Sequence, residues 1–176
     1  MDIEKVFYLR RSVRKFTDEP IKEEELSLIL DAGETAPIAI GDHEKTHITV
    51  VTDPALMEEI RAHLRKESRK TPGKLIDPLH NAQTLILVSA ADISEDGIEL
   101  CNAACIIENM ILEATALGLG SCYTWGCLKK LKATPEVLSK LNIPAGFEIL
   151  SGLTVGYAAK PLEMREKAYR IGINRV

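Results

Sequence analysis

The sequence predicts an α+β sandwich, because short buried strands are separated by helical segments of differing length along one chain. Three runs of aliphatic and β-branched residues indicate strands, at residues 46–52, 84–90 and 149–156. Apolar residues at helical spacing occupy much of the chain between and before them. The 176 residues are 45% hydrophobic and 27% charged, and residues 1–176 are therefore expected to form a single domain with one core.

The first half of the chain predicts three helices. Residues 2–10 form a short helix that begins at Asp2, a favourable N-cap. A second helix follows Pro20 and has three glutamates in its first turn, where the helix dipole favours negative charge. After the strand at 46–52, Asp53 and Pro54 supply a cap and a favourable first position for the third helix.

From residue 65 onward, the sequence predicts a loop, a core helix, a further helix and a polar tail. Residues 65–75 are polar and broken by a Pro-Gly pair, so they are expected to form a loop or a mobile flap. The segment from Glu95 to Leu117 carries apolar residues on both faces, which predicts a central helix of the core. Thr134 and Pro135 begin a further helix, and the last twenty residues are polar, basic and without helical periodicity.

The charge balance favours a protein that acts on small molecules. A formal net charge of -4 argues against a nucleic-acid binder or a protein of acidic membrane surfaces, so the basic clusters must act locally. No apolar run approaches the roughly 18 to 20 residues of a membrane span. The first residues lack the order of a signal peptide, and we expect a cytoplasmic protein.

The four cysteines match no common zinc or redox spacing, so no metal site is predicted. Ordinary packing as buried thiols is the expected state. Cys101 and Cys105 lie one helical turn apart, which leaves a cluster ligand or a redox pair as the alternative.

A phosphate clamp is indicated by the stretch RRSVRKF, which begins at Arg10. In an extended chain, Arg10, Ser12 and Arg14 face one side and Arg11 and Val13 face the other. Two guanidinium groups and a hydroxyl suit a phosphate monoester, because charge-assisted hydrogen bonds are strong and the fork of arginine matches phosphate oxygens. The alternative is a basic, solvated turn.

Two further motifs connect the clamp to a known family. Residues 102–126 read NAACIIENMILEATALGLGSCYTWG, a helical pattern that runs into glycines, and Ala36-Pro37 precedes the first strand. Together with RRSVRKF and the later VGY strand, in this order, they resemble the FMN-dependent nitroreductase family. The resemblance covers most of the chain. It implies a nitroreductase-like sandwich with a central antiparallel or mixed sheet flanked by helices, in an intertwined homodimer.

The resemblance implies FMN as cofactor, with its phosphate on Arg10, Ser12 and Arg14 and with Arg11 contributing through its backbone. A cation from the tail closes this phosphate site in the family. Arg170 matches that position best, and Lys167 lies one place off register. Arg165 is a further candidate, and a solvated basic tail is the alternative for each of these three residues.

The segment Tyr123-Thr124-Trp125-Gly126 matches the family loop that lies along the flavin ring. There a backbone N–H of Trp125 or Gly126 would meet flavin N5, and no side chain is expected to be catalytic. For Trp125, the only tryptophan, a core or interface anchor is the alternative. For the glycines before the loop, the alternative is a helix C-cap.

Pro37, Ile38 and Ala39 follow the Ala36 of the second motif, which in the family packs against the flavin of the partner subunit. Many relatives then have an asparagine where this chain has Gly41, so one polar contact to the flavin is expected to be missing. His43 could stand near the substrate or could be solvated.

The combined expectation is an FMN-dependent oxidoreductase that passes hydride from NAD(P)H through flavin N5 to a nitroaromatic, quinone or similar small-molecule acceptor. No GxGxxG motif is present, so NAD(P)H would be a transient co-substrate stacked on the flavin. Hydrolytic and metal-dependent motifs are also missing from the sequence. The alternatives are a flavin-binding carrier or sensor without turnover and the flavin-fragmenting branch of the same superfamily.

Overall fold

The fold combines six helices with two antiparallel sheets in the part of the chain that the structure describes. This computed structural model describes residues 2–166 and 171–176. The helices are α1 (Ile3–Leu9), α2 (Glu23–Glu34), α3 (Pro54–Leu64), α4 (Ile98–Ala116), α5 (Leu128–Lys132) and α6 (Pro135–Leu138). The strands are β1 (Thr46–Val51), β2 (Lys66–Glu67), β3 (Leu75–Ile76), β4 (Thr84–Ala90), β5 (Gly120–Thr124) and β6 (Glu148–Gly156).

The main sheet has the strand order β1-β4-β6-β5, and every neighbouring pair is antiparallel. Thr46 lies opposite Ala90 at one end of the β1–β4 pair, and Gly120 lies opposite Gly156 in the β5–β6 pair. All seven residues of β4 are buried, because helices cover both faces of the sheet. The architecture confirms the predicted α+β class with an antiparallel central sheet.

Alternation along β4 divides the apolar interior into two layers. Ile86 and Val88 face a layer completed by α2 and α4, whereas Leu85 and Leu87 face a layer completed by α3, α5 and α6. In the first layer α2 crosses α4 closely, since a Cβ added at Gly33 would lie 2.9 Å from Cγ of Met110. Helices α2 and α4 therefore pack closely together against one face of the main sheet.

Helix α4 packs in the core as predicted, but one of its faces is exposed in the single chain. Its inner face packs in the core, but Ile98, Cys101 and Cys105 are exposed at spacings of three and four residues. The prediction of buried thiols was therefore wrong for Cys101 and Cys105. It holds for Cys122, which is buried, and Cys127 is half-buried.

Three segments differ from the sequence-based prediction. Tyr123 and Thr124, predicted as part of a loop, instead end strand β5, in which each residue pairs with a residue of β6. The predicted loop or flap at 65–75 contains a short hairpin in which Lys66 pairs with Ile76 and Glu67 with Leu75. The five-residue helix α5 was not anticipated. Within residues 2–166 and 171–176, no helix is both long and apolar enough to cross a membrane.

Candidate active site

The clamp motif lies alongside strand β5. Ser12 forms a parallel bridge with Ser121, and the N–H of Val13 donates to the carbonyl of Ser121 at 2.8 Å. The Val13 side chain is buried, while Arg14 is exposed. A Cβ added at Gly120 would lie 2.9 Å from Cγ2 of Val13, so the motif sits directly on the beginning of the strand.

A cavity of about 340 Å³ opens at this motif. Four cationic side chains line it, and none of its lining residues is acidic. These cations are Arg11, Arg14, Lys15 and Lys160. Ser12 adds a hydroxyl group, and Leu162 and Val13 give an apolar border. Such a set of donors is suited to an anion with several oxygens, such as a phosphate monoester.

Arg11 has an unsatisfied polar atom beside this cavity. One of its terminal nitrogens donates to the carbonyl of Glu163, whereas its Nε is buried and has no partner among the described residues. A buried guanidinium nitrogen without a partner costs free energy unless a ligand or water satisfies it. Arg11 thus has one donor without a partner among the described residues, next to a cavity lined by cations.

Arg10 occupies a different place from the other clamp residues. It caps the C-terminus of α1, where its N–H donates to the carbonyl of Val6 at 2.8 Å, and it is not among the residues that line the cavity. Arg165 is also engaged elsewhere, since its guanidinium donates to the carbonyl of Phe7 at 3.1 Å. Lys167 and Arg170, the two predicted tail cations, lie outside the described residues.

Two residues of the clamp region were missed by sequence reasoning. Lys160 reaches the cavity from the segment after β6, ahead of the tail that was searched for a cation. His80 accepts a hydrogen bond at its carbonyl from the N–H of Phe16 at 3.3 Å. Burial lowers the pKa of His80, the Asp77 charge opposes this, and the Arg14 charge lowers it further. A lone histidine or lysine gives no sequence signal of this kind, because its position depends on long-range pairing.

Cys122 lies behind the clamp. Burial raises the pKa of its thiol, while the Arg14 charge and a hydrogen bond with the Ser12 hydroxyl lower it. The net direction is upward, so the thiol is neutral at physiological pH. Cys122 therefore adds no charge to the cavity, and its thiol donates to the carbonyl of Tyr123 at 3.7 Å.

The other end of β5 carries the predicted ring-binding segment. Thr124 is buried and its hydroxyl donates to the carbonyl of Cys122 at 3.2 Å, so its side chain packs inward. The hydroxyl of Tyr123 accepts a hydrogen bond from the Ser151 hydroxyl. Trp125 is 65% exposed, and no atom lies within 4 Å of a Cβ added at Gly126. The backbone at 125–126 is thus open to a ligand.

A second cavity, of about 460 Å³, adjoins this end of the strand. Trp125, Gly126 and Leu128 line it, together with Lys129, Lys132 and Ile149. The clamp and this cavity are connected by β5 itself. From Ser121 to Trp125 the chain advances four residues, or roughly 13 Å at about 3.3 Å per residue. An extended molecule with a phosphate at one end and a ring system at the other can therefore contact both ends.

The Pro37 segment is placed on the side of α4 and β1. Ile38 and Ala39 are half-buried, and the N–H of Ala39 donates to Oδ1 of Asn102 at 3.1 Å, whereas Pro37 is exposed. Ile40 has a φ of +53° and is almost fully exposed. His43 and Ile38 help to line a cavity of about 470 Å³. The structure does not bring this segment to the clamp cavity of the same chain.

Comparison with known proteins places this arrangement in one family. The model of the nitroreductase family matches residues 9–157. A protein of Archaeoglobus fulgidus, provisionally named NADH dehydrogenase/NAD(P)H nitroreductase, is 31% identical over 98% of this chain and 94% of its own length. An FMN reductase (NADPH) of Bacillus subtilis is 26% identical over 85% of this chain and 63% of its own length.

Solved structures show the same fold. A nitroreductase of Bacteroides fragilis with bound FMN has a TM-score of 0.78 and 28% identity, covering 100% of this chain and 98% of its own. One from Desulfitobacterium hafniense has a TM-score of 0.79 at 23% identity, covering 99% and 100% respectively. The family match extends from the clamp to the end of β6, and the chain accordingly belongs to the nitroreductase family.

Proposed function

We propose that this protein is an FMN-dependent oxidoreductase that passes hydride from NAD(P)H to a small-molecule acceptor such as a nitroaromatic or quinone. The observation that carries the proposal is the cavity with four cations at one end of β5 and the open backbone at Trp125 at the other. The nitroreductase of Bacteroides fragilis with bound FMN supports the choice of cofactor. When bound, the flavin supplies the atom that accepts and returns the hydride.

The donor set fits the phosphate of FMN. Arg14 and Lys160 present positive charge to the cavity, Ser12 presents a hydroxyl, and the buried Nε of Arg11 lacks a partner among the described residues. We assign the phosphate to these groups, with Arg10 in a supporting position at the end of α1. The several cationic donors of the cavity match the three free oxygens of a phosphate monoester, whereas each phosphate of a dinucleotide has only two. FMN is therefore the better match than FAD.

The residues after β5 position the ring. In this assignment the N–H of Trp125 or Gly126 donates toward flavin N5, and Tyr123 and Thr124 hold the strand against β6. A fixed backbone donor organises the ring without adding a group that titrates. The described part of the site therefore contributes binding and orientation, and no side chain is assigned as an acid or base.

A homodimer completes the site in this proposal. Apolar side chains remain exposed on α1 and α4, among them Phe7, Ile98 and Leu100. Pro37, Ile38 and Ala39 lie apart from the clamp cavity of their own chain, which suits a role in the partner's pocket. Because reduced nicotinamide nucleotides are intracellular electron donors, we place the enzyme in the cytoplasm.

Anaerobic titration of the purified flavoprotein with NADH and with NADPH tests the proposal. We expect the flavin absorbance to bleach with at least one nucleotide and to return when a nitroaromatic or quinone is added. A flavin that binds but is reduced by neither nucleotide would indicate a carrier or sensor. Loss of the flavin spectrum under oxygen, without return, would indicate flavin fragmentation.

A further inference from the structure

The lysines of α5 are arranged asymmetrically around the cavity beside Trp125. Leu128 and Leu131 are buried and anchor the helix. Lys129 and Lys132 are three residues apart, so they lie on one side of the helix, and both line the cavity of about 460 Å³. Lys130 points elsewhere, since its Nζ donates to the carbonyl of Arg65 at 3.1 Å.

We propose that this cavity binds the anionic group of an aromatic electron acceptor, so that the enzyme prefers carboxylated or sulfonated acceptors to neutral ones. This inference rests on the proposed function, because it names the acceptor class of the same site. The cavity lies directly beside the backbone that is assigned to flavin N5. An acceptor held there would have its ring near Trp125 and its charge near α5.

The walls of the cavity are complementary to both parts of such a ligand. Trp125 offers an exposed aromatic face, and Leu128 and Ile149 give an apolar floor on which an aromatic ring can pack. Lys129 and Lys132 supply two positive charges and form no ion pair among the described residues. None of the residues that line this cavity is acidic.

A further cavity adjoins the one beside Trp125 and differs from it in the charge of its lining residues. This further cavity measures about 510 Å³, and Lys132 and Ile149 line both cavities. Glu148 lines only the cavity of about 510 Å³. The carboxylate or sulfonate of the acceptor is therefore assigned to the cavity of about 460 Å³ beside Trp125, between the two lysines, where no negative side chain competes.

A pair of matched acceptors tests the assignment. We compare 4-nitrobenzoate with the neutral 4-nitrobenzyl alcohol in the holoenzyme and in the double variant Lys129→Gln/Lys132→Gln. The kcat/KM for 4-nitrobenzoate should fall by about fivefold or more, while that for the alcohol should change by less than about twofold. The control Lys130→Gln should leave both values within about twofold of the parent.

Salt provides an independent measurement of the same contact. In the parent enzyme, raising the ionic strength to roughly 0.5 M should reduce the preference for 4-nitrobenzoate, because exposed charges are screened. The double variant should show little of this salt dependence. The inference would be overturned if kcat/KM fell equally for both acceptors in the double variant, or if Lys130→Gln had the same effect as the double variant. It would also be overturned if the double variant lost kcat/KM only with NADPH and not with NADH, because the lysines would then bind the nucleotide phosphate.

Failure of the inference can be separated from failure of the proposed function. If neither NADH nor NADPH reduces the flavin, the proposed function is wrong, and equilibrium dialysis of 4-nitrobenzoate against the flavoprotein still tests the cavity. Binding should then be weaker in the double variant than in the parent and in Lys130→Gln. Equal binding to all three proteins would overturn the assignment of the anion to Lys129 and Lys132.

Discussion

Arg14 and Arg10 belong to the same short motif but have different surroundings. Arg14 lines the cationic cavity, and its charge acts on both Cys122 and His80. Arg10 ends helix α1 and does not line that cavity. Sequence spacing alone makes the two arginines equivalent, because both fall on one side of an extended chain. In the proposed function, Arg14 is therefore assigned as a direct phosphate ligand and Arg10 as a supporting residue.

Arg14→Ala should weaken FMN binding by about 1.5 to 3 kcal/mol, the range for one charge-assisted hydrogen bond. Arg10→Ala should cost less, because its side chain is not assigned to the phosphate. Arg165→Ala is the matched control, since its guanidinium is held by the carbonyl of Phe7, and it should change affinity by less than about 0.5 kcal/mol. A flavin titration of the three variants measures the order, and a larger loss for Arg10→Ala would reverse our assignment.

Trp125 should report the occupancy of the site through its fluorescence. It is the only tryptophan of the chain, and its ring is exposed beside the backbone assigned to the flavin. We expect strong quenching in the holoprotein and a rise in emission as FMN is removed.

Trp125→Phe should keep FMN and alter the choice of acceptor, whereas Trp125→Pro removes the backbone N–H and should impair flavin reduction more. Stopped-flow reduction of the two variants compares these effects. Emission that does not depend on FMN, with unchanged kinetics in Trp125→Phe, would return this residue to the role of a structural anchor.

Strand β5 is the element that connects the two ends of the candidate site. It begins at Gly120 against Val13 and ends at Thr124 just before the exposed tryptophan. Its pairing with β6 fixes the distance between the cationic cavity and the ring-binding backbone. Any change that moves β5 away from the clamp should therefore affect both stability and cofactor binding.

Gly120→Ala should destabilise the fold by about 1 to 3 kcal/mol, because its Cβ would lie between Val13 and Ala158 in a packed region. The same variant should also weaken FMN binding, since Val13 is flanked by Ser12 and Arg14. Gly126→Ala is the matched control for stability, because an added Cβ there has no neighbour within 4 Å. Urea unfolding compares the two, and equal midpoints would show that the clamp and β5 do not depend on close packing.

The sequence predicted elements whose signals are local. The cap at Asp53 and the glutamates before Leu26 identify α3 and α2, and the apolar run at 84–90 identifies β4. Strand β5 was missed as a strand because its glycine-rich surroundings favour a loop, and only pairing with β6 makes it extended. The exposure of Cys101 and Cys105 could not be predicted from the sequence either, because an apolar helix face does not show whether other residues pack against it.

The candidate site was predicted to a similar extent. Ser12 and Arg14 line the cationic cavity together, as alternation predicts, but Arg11 lines it too and Arg10 does not, although alternation places them on the opposite sides. The resemblance to the family, and no pattern of spacing, supplied the segment from Tyr123 to Gly126. Lys160 and His80 reach the clamp region from distant parts of the chain. No pattern in one sequence specifies such contacts, because they depend on how the strands pair.

At the scale of the whole molecule, apolar side chains of α1 and α4 are exposed, and no element in the described part of the single chain covers them. Ile98, Cys101 and Cys105 form a stripe along α4, and Phe7 is exposed on α1. Contiguous surface of this kind usually marks an interface. It agrees with a homodimer in which each chain contributes the segment at Pro37 to the partner's site.

Light scattering should give twice the chain mass of 19.4 kDa, and dilution that dissociates the dimer should release flavin. Cys105→Glu places a charge in the middle of the α4 stripe and should shift the protein toward monomers. Leu75→Glu is the control, because Leu75 is also exposed but lies on the separate β2–β3 hairpin. A monomeric parent that retains FMN at low concentration would rule out the shared site.

We expect the clamp cavity to bind the phosphate of FMN. Chromatography of the chromophore released from the purified yellow protein tests it most directly, because the cavity of about 340 Å³ with its four cations suits a phosphate monoester. We expect FMN as the released species, in an amount near one per chain. FAD as the main species, or a protein that carries and takes up no flavin, would contradict it.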